Sequence, residues 1–119
     1  MFRLILNELL ATTAGAQAAL FLDWEGETVE IACDHDLSDH ELRVIGAYQG
    51  VFMDRLRGLC AKVEAGKPQR YKIELATRAV LSYDVKDGYY VVLLADTSIN
   101  EGLAWRRLEK CREQLLAEM

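Results

Sequence analysis

Two runs, AQAALFLD (16–23) and YYVVLLAD (89–96), are apolar at almost every position and show no helical spacing. A strand with one wet face alternates apolar and polar residues, whereas a strand buried on both faces has no reason to. Both runs therefore belong in the middle of a sheet, and something must cover that sheet on each side. At 119 residues the chain has the length of one domain (1–119), so the cover comes from its own helices. Hydrophobic residues make up 51% and there is a single proline, which leaves no low-complexity stretch to set aside as unfolded.

The remaining segments supply the margins and the helices. Phe2, Ile5, Leu6, Leu9 and Leu10 form an apolar stripe at helical spacing over 2–12, and Gly15 follows it. Trp24-Glu25-Gly26 is a hairpin loop into 27–33, where Val29, Ile31 and Cys33 alternate with Thr28, Glu30 and Ala32, the pattern of a more peripheral strand. Residues 70–76 alternate strictly: Tyr71, Ile73 and Leu75 oppose Arg70, Lys72 and Glu74, which predicts an edge strand. A turn at Thr77-Arg78 leads to a strand over 79–85, and Lys86-Asp87-Gly88 is a hairpin turn into the second apolar run. The last helix starts at Ser98 or Asn100 and carries Ala104, Leu108, Cys111, Leu115 and Met119 on one stripe. The predicted order is α-β-β-α-β-β-β-α, an α+β fold with a five-stranded antiparallel sheet and helices on both faces.

The long helix over 38–65 is the most informative element. Ser38-Asp39-His40-Glu41 is a capping box, and Gly66 and Pro68 end the helix. Tyr48, Leu59, Phe52, Ile45, Val63, Leu56, Leu42, Cys60 and Met53, with Gln49 among them, share a face predicted to cover the sheet. Gly46, Gly50 and Gly58 lie on the other side with Ala47, Ala61 and Val51. Each interior glycine weakens a helix by roughly 0.5–1 kcal/mol relative to alanine, so a compensating close approach of a second helix is expected. Alternatively, Gly58 marks a bend and the other two are tolerated. If two copies of the edge strand paired antiparallel about Ile73, each Lys72 would face Glu74 of the other chain. Homodimerisation would then use Lys72, Ile73 and Glu74 together with Gly46, Gly50, Val51 and Gly58.

Charge and motifs exclude several functions. The net charge is −5, without the basic footprint of a nucleic-acid binder. Residues 8–41 hold nine acids and no Lys or Arg, while residues 42–86 hold nine bases and four acids, so opposite patches that orient a protein partner are expected, against the alternative of plain solvated surface. Asn7 and Glu8 break the N-terminal apolar run too early for a signal peptide, and no stretch is long enough to insert in a membrane. Cys33, Cys60 and Cys111 form no CxxC pair and suit reduced core thiols in a cytoplasmic protein. His35 and His40 sit among acids in 34–41 but lack HxxxH or HExxH spacing, so no metal is expected. Ala65-Gly66-Lys67-Pro68 lacks the glycine and hydroxyl residue of a phosphate loop, and no cofactor is expected. No acid, base or nucleophile constellation supports an enzyme. Trp24 and Trp105 suit contact anchors better than chemistry, unless Trp24 folds back on its own domain.

The order of elements, AQAALFLDWEGETVEIA after a short helix and Gly15, the long second helix, the charged alternating third strand, and YDVKDGYYVVLLADTSINEGLAWRRLEKCREQL together resemble the roadblock (dynein light-chain roadblock) family over nearly the whole chain. Asn100-Glu101-Gly102-Leu103 departs from it, since relatives tend to have an uncharged residue before Gly-Leu. The resemblance implies a profilin-like fold and a dimer in which third strands join two sheets and second helices pack side by side. It implies a non-catalytic regulator or scaffold, most like prokaryotic members paired with a Ras-like small GTPase. Arg43, Asp54 and Arg57, on the second helix away from its apolar stripe, are the implied GTPase-binding residues. The alternative is a scaffold for another multiprotein complex without a GTPase.

Overall fold

Five antiparallel strands form one sheet in the order β2-β1-β5-β4-β3, with helices packed on both of its faces. A computed structural model describes residues 1–34 and 36–119; His35 lies outside the described residues. The elements are α1 (Phe2–Thr12), β1 (Ala16–Leu22), β2 (Thr28–Cys33), α2 (Asp39–Lys62), β3 (Arg70–Glu74), β4 (Ala79–Lys86), β5 (Tyr89–Ala95) and α3 (Glu101–Ala117). The two apolar runs became β1 and β5. They sit inside the sheet, with β2 and β3 at its margins, as their patterns require.

The faces of the sheet are different cores. Phe21, Leu81, Val91 and Leu93 point to one side and meet Leu6, Leu9 and Leu10 of α1 and Ala104, Leu108 and Leu115 of α3. Leu20, Leu22, Val80, Val92 and Leu94 point to the other and meet Leu42 and Met53 of α2. Each of these large side chains stabilises the fold by about 1.5–3 kcal/mol through burial, which sets the sheet and its covering helices as one unit.

Local chemistry fixes the boundaries. The Ser38 hydroxyl accepts the Glu41 N–H while the Glu41 carboxylate accepts the Ser38 N–H, completing the capping box of α2. Asn100 caps α3 by accepting the Leu103 N–H at 3.0 Å. Between β4 and β5, Asp87 and Gly88 both have positive φ (53° and 85°), the combination of a two-residue hairpin turn whose twist matches its strands.

Three expectations are corrected. Val29 is exposed because the ladder slips at Phe21/Leu22, so that Leu22 pairs with Thr28 and the alternation of β2 breaks. Met119 is exposed because α3 ends at Ala117. The third correction concerns α2. Its sheet-facing stripe is Leu42, Gly46, Gln49, Gly50 and Met53, about 70° around the axis from the expected face, and Tyr48, Leu59 and Val63 are exposed. The cause is the β1–β2 hairpin. A Cβ at Gly50 would lie 2.7 Å from the Glu25 carbonyl oxygen and 2.7 Å from the Gly26 Cα, and one at Gly46 would lie 3.0 Å from the Leu22 side chain. The close approach that compensates these two glycines is therefore within the chain, and Gly46 and Gly50 are not available to a second helix. Among the described residues nothing lies within 4 Å of a Cβ at Gly58.

Candidate interaction surface

Turning α2 toward its glycines leaves its bulky apolar residues on the outside. Val44, Tyr48, Val51, Phe52, Leu59 and Val63 share one exposed face of the helix, with the exposed Arg55 between Phe52 and Leu59. Tyr48 is 71% exposed and Val63 64%, which is unusual for side chains of this size within one face of a helix. Val51 is on this strip and Gly58 beside it, so these two predicted contact residues do face outward.

The strip adjoins the edge of β3. Tyr71 reaches from β3 under α2, where its hydroxyl donates to Gln49 Oε1 and its ring meets Phe52 edge-on at 4.9 Å. Burial raises the Tyr71 hydroxyl above its ordinary pKa. Tyr71 thus ties the edge strand to the exposed strip, and the two form one flank.

Backbone phase decides what the β3 edge offers. Asp84 donates to the Gln69 carbonyl and Leu75 to that of Arg78, so by alternation Tyr71 and Ile73 bond to β4. The backbone groups of Arg70, Lys72 and Glu74 point outward. Among the described residues no hydrogen bond reaches their N–H groups. Antiparallel pairing about Ile73 would match Lys72 with Glu74 of the partner subunit as a hydrogen-bonded pair, the register that the side-chain charges favour.

Side chains on the other face of β3 lock it to α3. Lys72 Nζ lies 2.9 Å from Glu74 Oε1 and 2.5 Å from Glu101 Oε1. Each partner shifts the other in the direction of its charged form: Lys72 is raised and Glu101 lowered by their hydrogen bond. Lys72 therefore already has partners, and pairing across two chains would exchange or share them. The departure noted at Glu101 supplies this contact. Arg70 stacks over Trp105, with its guanidinium carbon 4.6 Å from that ring centroid and 5.9 Å from that of Tyr83, whose ring meets Trp105 edge-on at 6.1 Å. Trp105 thus anchors the edge strand of its own domain.

The expected partner-binding residues divide. Arg43 and Asp54 are exposed. Arg57 is half-buried: it donates to the Gly88 carbonyl at 2.9 Å and lies over the Tyr90 ring, so it holds the β4–β5 turn and is not a solvated charge. This corrects its placement, because the rotation of α2 carries Arg57 toward the sheet. Trp24 packs edge-on against Tyr89 at 5.6 Å, so the hairpin folds back on its own domain while leaving about half of the side chain exposed.

Charge follows the sheet order. The acid-rich segment builds the β1–β2 hairpin and the start of α2, and the base-rich segment supplies β3 and β4 at the opposite margin together with the rest of α2, which packs on β1 and β2. Among the described residues no group of three His, Cys, Asp or Glu side chains could hold a metal ion, and no helix is long and apolar enough to cross a membrane. Cys111 is buried against α1 and burial pushes its thiol up to about 12.

No protein-family model matches the sequence, nor does any curated protein. Solved structures do match. A roadblock/LC7 domain from Streptomyces avermitilis superposes with a TM-score of 0.86 at 12% identity, covering 95% of this chain and 92% of that one. MglB of Myxococcus xanthus gives 0.87 at 16% identity, covering 98% and 92%. An MglB structure described as a tetrameric arrangement gives 0.88 at 16% identity, covering 98% and 85%. At these identities the likeness concerns the path of the chain, and by that measure this protein has the roadblock/LC7 fold.

Proposed function

We propose that the chain is a prokaryotic roadblock protein that forms a homodimer through β3 and the outer strip of α2, and that the dimer regulates or scaffolds a Ras-like small GTPase without chemistry of its own. The observation that carries it is the single flank on which an open strand edge and an exposed apolar helix face adjoin. An edge with unsatisfied N–H groups and a strip of bulky apolar side chains are each unfavourable in water, and a two-fold copy satisfies both at once. The contact residues are Val51, Gly58, Lys72, Ile73 and Glu74, with Tyr48 and Phe52 added and Gly46 and Gly50 removed. A fold shared with MglB supports the class of protein, and the sequence resemblance to roadblock members supports the GTPase. Arg43 and Asp54 are the proposed GTPase contacts on α2, and the cytoplasm the proposed location.

Sedimentation velocity tests the dimer: wild type is expected at twice the chain mass and Glu74→Pro at the chain mass, since proline there removes an outward N–H of the edge and takes no bond from the β3–β4 ladder. An unchanged mass refutes the interface. GTP hydrolysis by GTPases recovered with the tagged protein, measured with and without it, tests the regulation. If no GTPase is recovered and no rate changes, the protein is a scaffold of another complex.

A further inference from the structure

The two margins of the sheet differ in what their outward backbone groups do. On β2, Asp34 donates to the Gln17 carbonyl, so by alternation Ala32 and Glu30 bond to β1 and the Ile31 N–H points off the sheet. That N–H is occupied. Glu30 Oε1 accepts it at 3.2 Å, and the same oxygen accepts Nε and Nη2 of Arg3 at 3.3 and 3.0 Å. Glu30 is folded along its own strand, its side chain about a quarter exposed, and Arg3 in the first turn of α1 holds it there. The outward N–H groups of β3 have no such cover.

We infer that Glu30, clamped by Arg3, closes the β2 margin to strand addition, so that association through the sheet is confined to β3. A groove of about 240 Å³ runs along this margin, lined by all six residues of β2, with Arg3 and Asn7 from α1 and Asp39 and Arg43 from α2. β2 ends the sheet and among the described residues no further strand pairs with its outer side, so strand addition there has to be opposed locally. What opposes it is the carboxylate: an incoming strand needs the Ile31 N–H as a donor and must first remove an acceptor that is charged and held by a guanidinium. The consequence for assembly rests on the dimer proposed above. In a dimer joined at β3 both β2 margins lie at the outer ends, where a second pairing would propagate without closing, and the clamp stops growth at two.

Glu30→Thr removes the acceptor and keeps a good strand former. Arg3→Glu reaches the same end from an exposed side chain, by placing a second carboxylate beside Glu30, and does not depend on how Glu30→Thr folds. Both variants are expected to sediment with a weight-average mass at least about twofold above wild type at equal concentration, and Ile31 is expected to gain amide-exchange protection in the larger species. Two results overturn the inference: masses equal to wild type in both variants, or larger species in which Ile31 exchanges as fast as before. Because the readout is an increase over wild type, it holds whether wild type is a dimer or a monomer. The dimer is judged separately by Glu74→Pro.

Discussion

Gly50→Ala is predicted to lower stability although every helix-propensity scale favours it. In an open helix the exchange stabilises by about 1 kcal/mol. Here the added methyl would lie 2.7 Å from the Glu25 carbonyl oxygen, 2.7 Å from the Gly26 Cα and 2.9 Å from the Gly26 nitrogen. All three are backbone atoms of a tight hairpin that also packs Gly26 against Gly46, so no side-chain rotation relieves the overlap. Overpacking typically costs about 1–3 kcal/mol, and a rigid backbone obstacle belongs at the upper end of that range. The net loss is then about 2 kcal/mol, or a fall in Tm of roughly 8 °C for a domain of this size. Gly58→Ala provides the internal control. With nothing within 4 Å, it should stabilise by about 1 kcal/mol. Urea denaturation at fixed protein concentration reads both, and fixing the concentration keeps association from contributing. A Gly50→Ala protein as stable as wild type would show that α2 does not rest on the hairpin, and the assignment of its outer strip would fall with it.

Arg57→Ala removes the bond to the Gly88 carbonyl and the cation over Tyr90, and should lower stability by about 1–2 kcal/mol without changing the mass in sedimentation. Cys111 should resist alkylation near pH 8 in the native protein and react on unfolding, since burial holds its thiol protonated; mass mapping of a labelled digest checks this. Asp84 is raised chiefly by burial, against the lowering influence of Arg57, Arg112 and Lys67. In the window between its unfolded and folded pKa the native state holds more protons, so stability falls as pH rises through it. Asp84→Asn should therefore stabilise at neutral pH and lose that advantage below the ordinary carboxylate range, which paired melting curves across pH would reveal.

The elements were legible in the chain because their signals are local. The capping box at Ser38, the Asp87-Gly88 turn and the uninterrupted apolar runs act over a few residues, and no distant contact competes with them. The rotation of α2 was not legible. That helix carries one stripe of large apolar side chains and another of small ones, and hydrophobicity alone assigns the large stripe to the sheet. The glycines themselves were the available signal, since Gly26 in the hairpin and Gly46 and Gly50 one turn apart in the helix suit a backbone-to-backbone contact. Arg57 was misplaced for the same reason.

From the amino acids alone came the strands that are central and marginal, the helices that must cover them, and the alternation over 70–76 that makes an edge, of which the structure keeps Arg70–Glu74 as strand. Each follows from how one residue and its near neighbours meet water. Which side of α2 faces the sheet, which backbone groups of β2 and β3 point outward, and where Glu30 and Lys72 find partners were decided only when distant segments met. The hairpin leaves room for hydrogen and not for carbon, and that steric limit outweighs the burial of Tyr48 and Phe52.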